Sequence, residues 1–240
     1  MFYIVTLTLK QIFKSKKMFV IFILLFLSLI LGIYSIKHGK NGIIVFSDLV
    51  YLIYLKFFVL LITLIFAASL INDEIRTGEI AFLTTRVSRT KILMEKYTGY
   101  LIATSLIFMI PLAVTFITMD IYAPQEIPIQ ILSSYTVVIF LAIAVYGSFY
   151  LFISLIISRP LMFGLFFAFV WEMIAPNISQ RISRATIINY LQSISYKLIK
   201  YGRIQDINSS EFGYSVVILL CIWIITLLLS IIIFKQKSIE

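Results

Sequence analysis

The sequence has 240 residues, of which 61% are hydrophobic and 13% are charged, and its mean hydropathy is +1.06. A soluble domain is about 45–50% apolar and about 25% charged, so this composition excludes a soluble globule and indicates an integral membrane protein. A single cysteine and a single histidine exclude an internal disulfide and every metal or catalytic motif that needs two such residues. We interpret the net charge of +9 as a sign of membrane topology and of contact with anionic lipid head groups, not of nucleic-acid binding.

Residues 1–17 predict an interfacial helix. Apolar side chains recur there at helical spacing, and lysines mark another side of the helix: Val5, Leu9 and Ile12 against Lys10, Lys14 and Lys17. Such a helix lies in the inner head-group layer, with its apolar side toward the acyl chains and its lysines toward anionic lipid. The alternative is that these residues simply begin the first membrane span.

Six apolar runs follow, and they cover residues 18–36, 49–70, 98–118, 131–157, 161–175 and 214–234. A bilayer-crossing helix needs about 20 apolar residues, so the runs predict an all-α integral membrane protein with six transmembrane helices in a single domain, residues 1–240. The fifth run is short and stops at Pro176, which predicts a partial span that leads into irregular structure. With the amino terminus inside, the inner segments carry twelve Lys and Arg residues and the outer loops carry seven. This bias predicts a multi-pass protein of the cell membrane with both termini in the cytoplasm.

Two charged residues lie well inside the predicted spans: Lys56 in the second and Glu172 in the fifth. A charge near the bilayer centre is unfavourable by about 2.5–3.5 kcal/mol on insertion scales, and it tends to face a cavity or a partner. If the two spans are neighbours, the depths of Lys56 and Glu172 permit an ion pair. The alternative is that each side chain extends toward the outer head groups.

The connection between the second and third spans, residues 72–97, concentrates nine charges of both signs in a chain otherwise nearly devoid of them. Its centre carries an apolar group formed by Ile80, Phe82 and Leu83. The layout suits a short helix, a turn and a second helix. A solvated loop with self-compensating charges is one interpretation, but charges around an exposed apolar centre are typical of a surface that docks a partner.

This segment resembles the first cytoplasmic loop of the type-2 permeases of ATP-binding cassette (ABC) transporters. The residues that match the family pattern are Glu74, Gly78, Leu83, Val87, Ser88, Arg89 and Lys96. The chain departs from the pattern at Glu79, where Thr is usual, and at Arg86, where Pro is usual. Six spans, inner termini, an amphipathic start and a longer loop before the last span also resemble that family.

The resemblance implies that residues 72–97 contain a cytoplasmic coupling helix, which docks in a cleft of a separate ATP-binding subunit. Its contact residues would be Glu74, Gly78, Phe82, Leu83 and Arg89, and Arg159 in the short turn after the fourth span would make a second, smaller contact. No G-x-x-x-x-G-K-[ST] phosphate cradle occurs in the sequence. We therefore expect a non-enzymatic chain with no catalytic or metal-binding residues, whose partner subunit binds ATP and magnesium and hydrolyses the nucleotide.

The family also implies pairing with a second copy of this chain or with a similar permease, and Lys56 and Glu172 beside the transport path. The many Phe, Ile and Leu residues favour a hydrophobic or amphipathic cargo such as a peptide, an antibiotic or a lipid. Nothing in the sequence suggests a docking site for a soluble binding protein, so export is the predicted direction.

The segment before the last span, residues 176–213, contains its own helical pattern. Apolar residues recur at helical spacing, and a glycine is placed to end the helix: Ile187, Leu191, Ile194, Leu198 and then Gly202. The segment resembles the extracellular re-entrant helices that type-2 permeases carry between the fifth and sixth spans. The alternative is an amphipathic helix that rests on the outer leaflet.

Two other classes of function remain to be weighed. An intramembrane enzyme is disfavoured because the sequence lacks H-E-x-x-H, offers no membrane histidine to activate Ser148, and has Glu172 as a lone acid within the spans. A secondary transporter driven by an ion gradient is the second choice. Such folds usually contain internal repeats and several polar residues within the membrane, whereas this sequence shows no clear repeat and only two charges inside the predicted spans.

Overall fold

The computed structural model of the chain describes residues 3–15, 18–38, 41–77, 87–122, 127–199 and 212–236. All regular structure in these residues is helical, and no strand occurs among them. The predicted all-α class is therefore confirmed.

The helices in chain order are α1 (Tyr3–Lys14), α2 (Phe19–Lys37), α3 (Gly42–Leu49), α4 (Leu60–Thr77), α5 (Arg89–Tyr122), α6 (Ile129–Ile156), α7 (Pro160–Phe166), α8 (Gln180–Ser183), α9 (Ile187–Ile199) and α10 (Phe212–Gln236). A π-helical segment, π1 (Val50–Val59), connects α3 to α4 without a break. A second one, π2 (Phe167–Ile174), continues α7 into a 3-10 turn at Ala175–Asn177.

Five of the described helical stretches are long and apolar enough to cross a membrane: Gly42–Ile71, Arg89–Tyr122, Ile129–Ile156, Pro160–Asn177 and Phe212–Gln236. They overlap the second to sixth predicted runs. The first predicted run falls on α2, which holds a shorter apolar stretch, Phe22–Lys37. The chain thus has the helices of a membrane-spanning protein. The fifth stretch ends in the 3-10 turn that contains Pro176, in agreement with the irregular structure predicted there.

Helix α6 forms the centre of the bundle and packs against α4, α5, α9 and α10. Small residues on α6 allow close approach of its neighbours. A Cβ atom added at Gly147 would lie 2.4 Å from Cε1 of Tyr100 on α5, so this contact requires the absence of a side chain. Helix α10 packs on one side of α6, and only 17% of its most apolar window is buried. Its remaining surface is suited to contact with lipid.

Hydrogen bonds between side chains join the long helices inside the bundle. The Tyr97 hydroxyl on α5 donates to the Ala144 carbonyl at 2.7 Å and accepts from Nε1 of Trp223 on α10 at 2.7 Å. Thr226 Oγ1 on α10 donates to Ser148 Oγ at 2.7 Å. Because a buried polar group without a partner is unfavourable, these bonds fix the relative positions of α5, α6 and α10. Ser148 thus takes part in the packing of α10 against α6.

Helix α2 is attached to the bundle by a second polar contact, although much of its surface is exposed. The hydroxyls of Ser28, Tyr54 on π1 and Thr115 on α5 lie within 2.9–3.3 Å of one another. A Cβ atom added at Gly32 would lie 2.0 Å from the Met119 methyl carbon, so α2 and α5 pack closely there. Outward-facing side chains such as Phe22 and Phe26 are exposed.

The predicted amino-terminal helix is present as α1, and Lys10 and Lys14 are exposed on it as expected. Its apolar side faces protein instead of acyl chains. Val5 and Ile12 are buried, and α1 packs on α5. A Cβ atom at Gly99 would lie 3.0 Å from Cβ of Thr8. The apolar stripe that predicted membrane contact therefore serves mainly to attach α1 to α5.

The positions at which the helices begin and stop define two opposite ends of the bundle. Arg89 Nη1, in the first turn of α5, donates to the carbonyls of Phe234 at 3.5 Å and Lys235 at 3.2 Å, in the last turn of α10. Lys96 Nζ donates to the Leu70 carbonyl on α4 at 3.3 Å. The start of α5, the end of α4 and the end of α10 therefore meet at one end together with α1, which we call the α1 end. The opposite end, with α9 and the starts of α6 and α10, is the α9 end.

Candidate functional site

The carboxylate of Glu172 on π2 is fully buried inside the bundle and accepts three hydrogen bonds. Its Oε2 accepts hydrogen bonds from the Tyr146 hydroxyl at 2.8 Å and from the Ile188 amide at 2.9 Å. Its Oε1 accepts from the Ile187 amide at 3.1 Å. One side chain therefore joins π2, α6 and the first turn of α9.

The location of this carboxylate has a simple physical explanation. The first amide groups of a helix have no acceptor within the helix, and the helix dipole places partial positive charge there. The 3-10 turn at Ala175–Asn177 and the short α8 reverse the chain, which brings the start of α9 back to Glu172. Glu172 is thus stabilised by backbone amides and a hydroxyl.

Tyr150 forms the next part of this site. Its hydroxyl is buried and has no hydrogen-bond partner among the described residues. Its ring stacks on Tyr146 with centroids 6.2 Å apart, and it meets the edge of Phe167 at 6.3 Å. The site therefore contains a carboxylate with three hydrogen-bond donors and, beside it, packed aromatic rings, among which the Tyr150 hydroxyl has no partner among the described residues.

Helix α9 confirms the helix predicted from the apolar pattern between residues 187 and 198. Its stripe residues Ile187, Leu191 and Ile194 are buried, but so are the polar residues on its other faces: Asn189, Gln192, Ser193 and Ser195. The Gln192 amide donates to the hydroxyl of Tyr51 on π1. Burial on several faces contradicts a helix that rests on the outer leaflet, and it shows that α9 is inserted among the long helices. Gly202, the predicted helix stop, lies outside the described residues.

Lys56 lies on π1 and is partly buried, with no hydrogen bond or ion pair to any described residue. An ion pair between Lys56 and Glu172 requires the second and fifth predicted spans to be neighbours. They are neighbours, as the 6.3 Å distance between the rings of Phe57 and Phe169 shows. The structure nevertheless forms no ion pair between Lys56 and Glu172. The carboxylate is enclosed by Tyr146 and the first turn of α9.

Lys56 and Glu172 both lie in π-helical segments, π1 and π2. The sequence contains no signal for either segment. A π segment inside an α-helix often marks a functional position. The site also contains three tyrosines that were not predicted from the sequence, because tyrosines within apolar runs were grouped with the apolar residues: Tyr51, Tyr146 and Tyr150. The spacing of Tyr146 and Tyr150, four residues apart on one helix, was the available clue.

An apolar groove of about 510 Å³ opens at the α9 end between α6, α9 and α10. Its walls are formed by Ser133, Ser134, Val137, Phe140, Leu141, Ile194, Leu198, Phe212 and Val216. The two serine hydroxyls are bonded to the Gln130 carbonyl of their own helix. The groove therefore offers apolar surface, and its volume lies within the range of about 300–1,000 Å³ found for small-molecule sites.

The residues expected to contact an ATPase are partly within the described ranges. Glu74 belongs to the end of α4, although its side chain is outside the described part, and Gly78, Phe82 and Leu83 lie outside it entirely. Arg89 begins α5 and contacts the end of α10. Arg159 is exposed in the turn before Pro160, the first residue of α7. The layout of residues 72–97 predicted a short helix, a turn and a second helix. In the structure, residues 72–77 are the end of the long helix α4, and residues 89–97 are the start of the long helix α5.

No protein-family model and no curated protein matches the sequence. The resemblance to type-2 permeases therefore stays a prediction from the sequence. Within the described ranges, no group of three His, Cys, Asp or Glu side chains could hold a metal ion.

Proposed function

We propose that the chain is the membrane-spanning permease subunit of an ATP-driven exporter similar to the type-2 ABC permeases. It provides a path for a hydrophobic or amphipathic cargo, and a separate ATP-binding subunit supplies the energy. A second copy of the chain or a similar permease completes the complex. Both termini face the cytoplasm, and six helices cross the cell membrane, with α2 as the first.

The observation that carries this proposal is the position of the mixed-charge segment. Lys96 bonds the Leu70 carbonyl, so the end of α4 and the start of α5 lie side by side at the α1 end. The segment that joins Thr77 to Arg89 therefore connects two long helices at that end. A contact made there can transmit force along both helices into the bundle.

The α9 end supports the same proposal. Helix α9 is inserted among the long helices and is bound to Glu172, which suits a closure at the far mouth of a path. The apolar groove beside it offers a surface for a hydrophobic cargo. An ion-driven secondary transporter would instead need several free polar groups within the membrane.

The test is assembly with an ATP-binding subunit encoded beside the gene. The chain purified alone should hydrolyse no ATP, and the complex should hydrolyse it with stimulation by cargo. Removal of an interface anchor commonly weakens binding by about 2 kcal/mol or more, so Phe82→Ala should disrupt the complex. Phe26→Ala, which removes an exposed aromatic side chain of α2, is the matched control. Nucleotide hydrolysis by the isolated chain, or normal assembly and stimulation with Phe82→Ala, would overturn the proposal.

The alternative transporter predicts a different result. Proteoliposomes that contain the chain without any ATPase would then accumulate cargo when an ion gradient is applied. The proposed permease should show no gradient-driven accumulation in that assay.

A further inference from the structure

Lys56 stands at the middle of a membrane-spanning helix. It is the fifteenth residue of the 30-residue stretch Gly42–Ile71. A lysine at the centre of a span is unfavourable by about 2.5–3.5 kcal/mol on insertion scales, and such residues usually have a partner or a function. None of the described residues forms a hydrogen bond or an ion pair with it.

The part of the chain that the structure describes offers no suitable anion. Glu172 already accepts three hydrogen bonds and is fully buried. A second copy of the chain presents the same occupied carboxylate. The other acidic residues of the described long helices lie toward helix ends, and they are Asp48, Asp73, Glu74, Glu95 and Asp120. No carboxylate among the described residues is therefore the partner of Lys56.

The surface around Lys56 is apolar and open. Leu52 and Phe57 on π1, together with Phe169 and Val170 on π2, are each between 36% and 39% exposed. The Phe57 and Phe169 rings join the two segments into one continuous face. This face, which we call the Lys56 face, combines one cation with surrounding hydrocarbon surface.

We propose that the Lys56 face binds the anionic group of an amphipathic cargo in transit, with the apolar part of the cargo against Phe57 and Phe169. The inference rests on the proposed function and narrows its cargo to anionic amphiphiles. Head groups of resident lipids lie about 15 Å away, at the edge of a hydrocarbon core about 30 Å thick. An anion at the depth of Lys56 is therefore one that has left the interface, as a transported molecule must.

The test compares two probes that differ in charge. The full chain is placed in nanodiscs of phosphatidylcholine, and binding of radiolabelled hexadecyl phosphate and hexadecanol is measured after subtraction of empty nanodiscs. A charge-assisted contact in an apolar setting should make the phosphate bind at least about tenfold more tightly than the alcohol. Lys56→Met should abolish this preference, and Lys56→Arg should preserve it.

The control is Lys197→Met, which removes an exposed lysine at the end of α9 and should leave the preference intact. Equal binding of the two probes to the unmodified chain, or an undiminished preference in a well-folded Lys56→Met variant, overturns the inference. A thermal shift caused by phosphatidylglycerol in the nanodisc that depends on Lys56 also overturns it, because the anion would then be a resident lipid. The binding assay needs no ATPase. If the unmodified chain shows no preference for the phosphate while ATP-driven transport is intact, this inference is refuted and the proposed function stands.

Discussion

Glu172 shows how a single side chain can connect three parts of a membrane protein. Its carboxylate satisfies two backbone amides of α9 and the hydroxyl of Tyr146 at once. Removal of the carboxylate leaves these three donors buried without an acceptor. A buried unsatisfied donor is unfavourable by about 1–3 kcal/mol, and charged hydrogen bonds are among the stronger ones.

We predict that Glu172→Ala lowers the free energy of unfolding by about 2–4 kcal/mol, whereas Glu172→Gln, which keeps one acceptor oxygen, has a smaller effect. Thermal unfolding of detergent-extracted protein measures both. Glu95→Gln is the matched control, because Glu95 makes only a 3.9 Å pair with Lys91 one turn away on α5. Such a pair contributes about 0–1 kcal/mol. Equal effects of Glu172→Ala and Glu95→Gln would contradict the bridging role.

A double-mutant cycle tests the absence of a Lys56–Glu172 pair. Residues that do not contact each other usually combine additively, to within about 0.3–0.5 kcal/mol. We therefore expect the effects of Lys56→Met and Glu172→Gln on unfolding to add in the double variant. A coupling energy well above that limit would show that the two side chains meet.

At this scale, the sequence identified the unusual residues but not their partners. Lys56 and Glu172 were visible because each interrupts an apolar run. The actual partners of Glu172 depend on a chain reversal between residues 175 and 187 and on the wider turns of π2. Hydropathy contains no information on either feature. The sequence therefore permitted an ion pair between Lys56 and Glu172, which the structure does not form.

At the scale of helices, the apolar runs located every long helix but misjudged several ends. The helix of the second run begins at Gly42, where residue 49 was predicted, because Asn41 caps it: the Asn41 side chain accepts from the Ile43 amide at 3.0 Å. Helix α5 begins at Arg89 and not at residue 98. Its first turns are charged, so hydropathy does not predict them. They are stabilised as helix by contacts with α4 and α10.

Close helix packing at Gly147 leads to the next prediction. Gly147→Ala forces a methyl group against the ring of Tyr100, with Cε1 2.4 Å from the new Cβ. Overpacking of this kind typically destabilises a protein by about 1–3 kcal/mol. Gly213→Ala is the control, since a Cβ atom there meets nothing within 4 Å. The midpoint of thermal unfolding should fall for Gly147→Ala alone, and a similar midpoint for both variants would refute the tight contact.

Arg89 yields a prediction that separates two roles. Its guanidinium binds the last carbonyls of α10, where a cation also interacts favourably with the helix dipole. We expect Arg89→Met to accelerate amide hydrogen exchange in the last turn of α10 even when no ATPase is present. If exchange there is unchanged while assembly with the ATPase is lost, Arg89 acts only at the subunit contact.

At the scale of the whole molecule, the arrangement of helix ends predicts the topology. Helix α1, the start of α5 and the end of α10 meet at the α1 end. This agrees with the expectation that the two termini share one side of the membrane. The count of positive charges predicts the same arrangement, and the side of the membrane that the α1 end faces stays a prediction.

Cysteine labelling tests this arrangement. In a Cys221→Ser background, single cysteines at Lys14 and Gln236 should react with an impermeant reagent from one side of the membrane. Single cysteines at Tyr122 and Lys197 should react from the other side. Labelling of Lys14→Cys and Gln236→Cys from opposite sides would mean that the chain crosses the membrane an odd number of times.

The burial of α9 also determines the order in which the protein can reach its final structure. Glu172 is synthesised before the amides of Ile187 and Ile188 that stabilise it, and Tyr51, the partner of Gln192, is made much earlier. Helix α9 also packs against α10, which is made last. The polar side chains of α9 would be unfavourable in lipid by themselves. The polar contacts of α9 with Glu172 and Tyr51 can therefore form as soon as α9 is made, whereas its packing is complete only once α10 has been synthesised.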